Sequence, residues 1–322
     1  MIWDKTTILL PDGSRQEAVA PLIISASRRT DIPSNYGVWF KKRLLDGYVS
    51  WKNPYNQRVS YVSFEKARLF VFWSKNPSPF FPILPLLDKL HLHYYFQFTL
   101  NDYKAEGLEP EIPLLAKRVE VFQNLSRLIG PEKVIWRFDP LLITRELPLD
   151  KLMKRVEFIA SQLSGYTRKL IFSFADISVY RKVERNLQNA HVEYLEFTPE
   201  LMHEAAAKLE AIGLKYHLEV RSCCEAIDLS PYGIQHNKCI DDDLIRKLFP
   251  ADKQLMEFIG EEQETLFPDK ENGRYFKIKD KSQRTDCGCI TSKDIGEYDT
   301  CPLGCTYCYA NRIPGKIHLI GR

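Results

Sequence analysis

At 322 residues, 44% hydrophobic and 27% charged, the chain has the makeup of a globular protein with a large core, either one barrel-sized domain or two smaller ones. Its formal charge of +3 is too small to imply a concentrated duplex-binding face, so composition gives nucleic acid no support as a partner. No secretion signal or membrane-length apolar run is readable, since the most apolar stretch is broken by Pro79, Pro82 and Pro85, and eight cysteines in such a chain read as metal or redox ligands in a reducing cytoplasm.

From Pro21 onward one theme repeats: a short apolar run, a polar cluster, then an amphipathic segment at helical spacing. The apolar runs are Leu22-Ile23-Ile24, Leu69 to Phe72, Tyr94 to Phe96, Val134 to Trp136, Leu170 to Phe172 and Tyr216 to Val220. Their wide separation suits crossover helices better than hairpins and predicts parallel βα units. Leu115, Val119, Phe122 and Ile129 form one helical stripe before Gly130-Pro131, and Leu149, Leu152, Val156, Ile159 and Leu163 form another that stops at Gly165. Thr198-Pro199 opens a third helix with a capping hydroxyl and a proline at its first position, running through Leu201, Ala205, Leu209 and Ile212 to Gly213. The stretch from Leu248 to Asn272 is less patterned and reads as a lid or an excursion. The expected architecture is an α/β partial barrel of the TIM type with about six parallel βα units, residues 1–248, followed by a cysteine-rich segment, 249–322, that completes the mouth.

Polar residues gather where the apolar runs stop: Ser25 to Asp31, then Ser74-Lys75-Asn76, then Thr99, Asn101 and Asp102, then Arg137 and Asp139, then Ser173 and Asp176, then Arg221 and Ser222. The C-terminal strand ends of a parallel barrel converge on one mouth, so these residues are expected to meet there. Singly, each is as well explained by a helix cap or a solvated loop charge; their recurrence at successive strand ends marks the set. Arg28, Asp31, Lys75, Arg137 and Asp139 are the catalytic candidates.

Near the C-terminus, Cys301-Pro302-Leu303-Gly304-Cys305-Thr306-Tyr307-Cys308 places three thiols at spacings of four and three, with a glycine to relax the loop. A structural zinc site or an ordinary electron-transfer cluster uses four protein ligands, so a loop with three leaves one metal corner open to a small molecule. The other cysteines fall at Cys223-Cys224, Cys239 and Cys287-Gly288-Cys289; Cys223, Cys239, Cys287 and Cys289 make a four-ligand set for an auxiliary [4Fe-4S] cluster, with zinc as the competing occupant. Arg28, Arg29, Lys75, Arg137 and Arg221 are cations suited to a carboxylate, an anionic substrate or the negative thiolates. Asp31, Asp139, Asp176 and Glu219 are acids suited to an ammonium or a ribose, or to structural ion pairs. His217 is expected on a strand, in packing.

The Cys-x3-Cys-x-Tyr-Cys spacing resembles the signature of the radical S-adenosylmethionine (SAM) enzymes, although in most of them this loop lies near the N-terminus and follows the first barrel strand. That resemblance implies a [4Fe-4S] cluster chelating SAM, reductive cleavage to a 5′-deoxyadenosyl radical, and a cytosolic electron donor such as flavodoxin or ferredoxin. It also puts Tyr307 by the adenine, with Arg221 and Asp176 as further cofactor contacts; the substrate is left unidentified. A longer resemblance, to the family called domain of unknown function 1848, rests on Ile24-Ser25-Ala26-Ser27-Arg28-Arg29-Thr30-Asp31-Ile32-Pro33, Trp73-Ser74-Lys75-Asn76-Pro77, Trp136-Arg137-Phe138-Asp139-Pro140, Cys239-Ile240-Asp241, Gln283-Arg284 through Cys287-x-Cys289, Asp294-Ile295-Gly296 and the cysteine loop from Cys301 through Asn311. That family favours a Cys-x-Glu at the sixth strand, met by Cys223-Cys224-Glu225, which selects Cys223 over Cys224. From the residues alone, the rival is a non-enzymatic module whose cysteines hold zinc or iron–sulfur structurally while its basic mouth grips nucleic acid or phosphate.

Overall fold

The computed structural model describes residues 3–53, 56, 58–260, 278–313 and 315–320. Five of the six apolar runs lie in parallel strands: β1 (Ile23–Ala26), β2 (Leu69–Ser74), β3 (His93–Thr99), β4 (Val134–Leu141) and β5 (Lys169–Phe174). With β6 (Glu219–Ser222), β7 (Gln235–His236) and β8 (Lys293–Asp294) they form one eight-stranded sheet in the order β8-β1-β2-β3-β4-β5-β6-β7. Every pairing in it is parallel. From β1 to β7 each strand takes the next place on the same side of its predecessor, so the sheet is wound in one direction and has no point where strand order reverses. β8 then returns to cover the free edge of β1.

Alternate side chains of a strand point to opposite faces, and the two faces here carry two separate cores. Ile24, Phe70, Phe72, Phe96, Phe98, Trp136, Phe138, Leu170 and Phe172 pack on the helices. The helix Leu115–Ile129 buries Val119, Phe122 and Leu125, and Leu149–Leu163 buries Leu152, Val156, Ile159 and Leu163, as their spacing predicts. Each such side chain stabilises by about 1.5–3 kcal/mol when fully buried. The opposite face, Ile23, Leu69, Val71, Tyr95, Ile135 and Ile171, is covered by Ile245, Phe249, Leu255, Ile259, Ile278 and Ile290 from the C-terminal part of the chain. The two segments divided at residue 248 therefore share cores, and Ile295, Leu303, Cys305 and Tyr307 join the helix-side one.

The sixth strand differs from its sequence expectation. The helix Pro199–Tyr216, capped by Thr198 accepting from the Leu201 N–H at 3.3 Å, runs through Gly213, and His217 closes it in the left-handed region with φ 56°, so His217 is a helix cap and not a strand residue. Gly213 is there for contact: a Cβ would stand 2.6 Å from Val220 Cγ2 and 2.9 Å from the Leu218 carbonyl oxygen. A second sheet, built from Asp4–Leu9, Arg15–Ala20, Tyr48–Lys52 and Val59–Ser63, has no counterpart in the sequence reading. Asp4–Leu9 and Arg15–Ala20 are mostly exposed and carry charges, and Tyr48–Lys52 and Val59–Ser63 mix serines with their apolar residues, so a search for apolar runs passes over them. Of the stretch 248–272, the helix Lys253–Ile259 covers the sheet, and residues 261–272 lie outside those described. No described helix is long and apolar enough to cross a membrane.

Candidate functional site

On the face opposite the helices, strand residues change character along the strand direction. Ile23 and Ser25 lead to Ser27, Leu69 and Val71 to Trp73 and Lys75, Tyr95 and Gln97 to Thr99, Ile135 to Arg137 and Asp139, and Ile171 to Ser173. The polar ends line a cavity of about 510 Å³, and all eight cysteines line it as well, together with Arg28, Arg29, Asp31 and Asp176. Parallel strands and a C-terminal segment returning to β1 bring these distant residues to one place.

The return is pinned at Asp294. Its Oδ2 accepts from Ser25 Oγ at 3.0 Å and from the Arg28 backbone N–H at 2.9 Å, while Oδ1 accepts from the Gly296 N–H at 2.9 Å. Gly296 lies so close to Ser27 that any Cβ would overlap the serine hydroxyl. Beyond it, Gly304 turns the cysteine loop with φ 65°, which glycine adopts without strain. Asn186 clamps that loop: its Nδ2 donates to the Cys308 and Asn311 carbonyls at 3.4 and 3.2 Å, and its Oδ1 accepts from the Ile313 N–H at 3.0 Å. The Thr306 N–H adds a bond to the Leu108 carbonyl at 3.0 Å.

Cys301, Cys305 and Cys308 are buried or nearly so, and burial pushes their thiols up, that of Cys301 to about 12. A metal that binds such thiols takes the place of their protons. Beside Cys305, Lys75 Nζ donates to Glu109 Oε1 and to the Tyr307 hydroxyl, each at 2.8 Å. Glu109 is fully buried, accepts from the Tyr307 hydroxyl, and faces Arg118 Nη2 at 3.7 Å. Burial would raise its carboxyl, but Lys75 and Arg118 hold it below the ordinary 4.5. Asn101 Nδ2 also donates to the Tyr307 hydroxyl, at 3.0 Å. Tyr307, between Cys305 and Cys308, thus has its hydroxyl tied into a buried network, with its ring edge-on to Tyr103 at 5.7 Å.

The second group gathers the other cysteines. Cys223 Sγ and Cys239 Sγ lie 3.7 Å apart, and the Cys239 N–H donates to Cys289 Sγ at 3.1 Å. Hydrogen bonds shared along Cys223, Cys239, Cys289 and Cys287 hold the Cys239 thiol well below its usual value and bring Cys287 down to about 7, where bonding to Cys289 outweighs burial. Arg137 Nη1 donates to Cys239 Sγ at 3.0 Å, and Asn237 Nδ2 does so at 3.5 Å. The rest of the Arg137 guanidinium is held by Asp139 Oδ2, whose other oxygen accepts from Ser173. Arg28 stacks over Trp73 at 5.1 Å and faces Cys289 and Cys239, and its Nη2 is buried without a hydrogen-bond partner.

Of the residues singled out from sequence, Arg28, Asp31, Lys75, Arg137, Asp139, Asp176 and Tyr307 line the cavity together with the seven chosen cysteines. Asp31 does so as a cap: its Oδ1 accepts from the Ser34 N–H at 2.9 Å and Oδ2 from the Lys75 N–H at 2.7 Å, and burial still raises its carboxyl to about 6. Asp176 pairs with Arg284 at 3.2 Å on the cavity rim. Arg221 and Glu219 are elsewhere. Because β6 starts at Glu219, they sit level with Ile171 and Lys169 inside the sheet rather than past its end, and they pair with each other beside Gln235. There they line a separate hollow of about 360 Å³. Sequence reasoning missed Glu109, which lies in a loop with no periodic signal, Arg118, a charge on the buried side of the periodic helix Leu115–Ile129, and Gln97, hidden within an apolar strand; Arg284 enters only as part of the family resemblance.

The fold and the cavity define an α/β protein that collects eight cysteines and several paired cations at the C-terminal end of a parallel sheet. The chain belongs to the family whose model is described as domain of unknown function (DUF1848), which matches residues 23–310. No curated protein and no solved structure matches it.

Proposed function

We propose that this is a radical SAM-type iron–sulfur enzyme, built as a partial TIM-type barrel whose cluster loop arrives from the C-terminal side of the chain. Cys301, Cys305 and Cys308 would hold a [4Fe-4S] cluster open to SAM, and Cys223, Cys239, Cys287 and Cys289 a second cluster. The observation that carries this reading is that both sulfur groups face one cavity with the strand-end charges. The N–H to sulfur bonds at Cys239 and Cys289 and the orphaned Arg28 Nη2 suit a negatively charged thiolate centre.

When bound, the open cluster supplies the electron that splits the sulfonium carbon–sulfur bond of SAM into methionine and a 5′-deoxyadenosyl radical, which takes hydrogen from a substrate. The protein positions and shields this chemistry. Lys75, held by Glu109, offsets the charge of Cys305; Asn186 and Gly304 fix the loop; Trp73, Leu303, Phe174 and Tyr309 give the cavity apolar walls that keep water out.

Anaerobic reconstitution with iron and sulfide tests this. Reduced wild-type protein given SAM is expected to form 5′-deoxyadenosine, and Cys305→Ala to form none. Iron–sulfur protein that never cleaves SAM, or a colourless protein saturated by zinc, would overturn the reading.

A further inference from the structure

We propose that Arg29, Lys182 and Lys293, gathered around the rings of Trp51 and Tyr298 at the rim of the cavity, bind a phosphate monoester group of the substrate. This rests on the enzymatic reading above and names a substrate class for it.

Five separate parts of the chain build this corner. Arg29 follows β1, Trp51 comes from the strand Tyr48–Lys52, Lys182 from the helix Arg181–Asn189, Lys293 from β8, and Tyr298 from the segment leading to Cys301. The Arg29 guanidinium lies between the two rings, 5.8 Å from the centre of Trp51 and 5.1 Å from that of Tyr298. Lys293 Nζ stands 3.6 Å over the Trp51 ring, and Lys182 Nζ 5.6 Å over that of Tyr298. The aromatic faces thus hold three like charges in one small region.

Their counter-charge is incomplete. Among the described residues two acids pair with the group: Asp294 Oδ1 lies 3.9 Å from Arg29 Nη1, and Asp299 Oδ1 lies 4.0 Å from Lys182 Nζ. Both distances exceed hydrogen-bond length. Both carboxylates are also engaged elsewhere, Asp294 by Ser25, Arg28 and Gly296, and Asp299 by the Arg312 N–H at 2.7 Å. No described residue accepts a hydrogen bond from the side chain of Arg29, Lys182 or Lys293. Burial, and then Arg29, push the Lys293 amine down to about 8, with Asp294 opposing them only in part.

Cations with open donors at a rim make an anion site, and the donors choose the anion. Three cationic side chains on three elements match the three terminal oxygens of a phosphate monoester, whereas a carboxylate or a phosphodiester offers two. The monoester dianion also restores the charge that burial takes from Lys293. Arg29 and Tyr298 line the same cavity as the sulfurs, so a substrate anchored here by its phosphate extends inward toward Cys301, Cys305 and Cys308. Holding a remote charged group in this way orients the part that reacts.

Acylation of Lys293 by an N-hydroxysuccinimide ester tests this, read by mass spectrometry on the reconstituted protein at pH 8. Inorganic phosphate and phenyl phosphate are expected to protect Lys293 while the exposed Lys215 goes on reacting, and acetate and chloride at the same ionic strength are expected not to. In Arg29→Gln and in Lys182→Gln, each compared with its own unprotected rate, the half-protecting phosphate concentration should rise about tenfold, the worth of one charge-assisted hydrogen bond. Protection that is absent, matched by acetate, or unmoved in both variants overturns the proposal. A single-stranded oligonucleotide without terminal phosphates that protects better per phosphate than phenyl phosphate puts a phosphodiester in the site and overturns the monoester. Formation of 5′-deoxyadenosine in the same samples reports separately: its failure in wild type sinks the proposed function and leaves binding to be judged by protection, whereas its presence without protection sinks only this inference.

Discussion

Glu109→Gln should be the most damaging single-atom change to the apoprotein. Glu109 has no solvent exposure, and its carboxylate stands between Lys75 Nζ at 2.8 Å and Arg118 Nη2 at 3.7 Å. Removing its charge leaves two buried cations facing each other, and breaking a buried pair in this way costs about 3–5 kcal/mol. Urea unfolding at pH 7 should show a lower midpoint with an unchanged slope. Arg118→Met added to Glu109→Gln should recover most of the loss, because one cation then remains to face Cys305. The sign with pH follows from a carboxyl held below its ordinary 4.5: its contribution is present above that value and disappears as pH falls through the lower folded-state value. Wild type should therefore lose stability at acid pH where Glu109→Gln does not. A Glu109→Gln midpoint shift worth less than about 0.5 kcal/mol, the scale of an ordinary surface substitution, would refute the account of this network.

Other outcomes follow from single contacts. Gly213→Ala should destabilise by about 1–3 kcal/mol through overpacking against Val220, whereas Gly233→Ala, with φ 67° and open space around it, should cost only about 1–2 kcal/mol of backbone strain; thermal unfolding of the pair separates the two causes. Asn186→Ala removes three loop contacts and should admit protease near residue 310, measured by mass spectrometry of limited digests. Lys293 loses protons early, at about 8, because burial and then Arg29 disfavour its charge; an amine-acylating reagent at pH 8 should mark it ahead of the surface lysines, and its contribution to stability should rise as pH climbs from about 8 towards 10.5.

The parts of the fold that were legible were those with a strong period. Helices Leu115–Ile129 and Leu149–Leu163 begin and end where their stripes and glycines put them, and five strand cores carry apolar runs because they are buried on both faces. What failed did so for identifiable reasons. Gly213 resembles a helix stop, but tertiary contact with Val220 keeps it inside the helix, and that shift removed Arg221 from the site. β7 and β8 are two residues long and polar, so no periodicity marks them; they exist because neighbouring strands offer open edges. The cysteine spacing and strand-end charges pointed to the cavity, but Glu109 did not show, since one acid in an irregular loop carries no pattern until Lys75 and Arg118 close on it.

The edge of β1 has a further consequence. Its partner on that side is residues 293–294, reached through contacts such as Ser25 to Asp294 at a separation of 269 residues. During synthesis the first parallel strand emerges long before the segment that covers it, and a nascent chain carries an open β edge through most of its translation. Such an edge invites pairing with other chains. Holdase chaperones should bind this polypeptide early, and release it once the segment around Lys293 and Asp294 has paired with the edge.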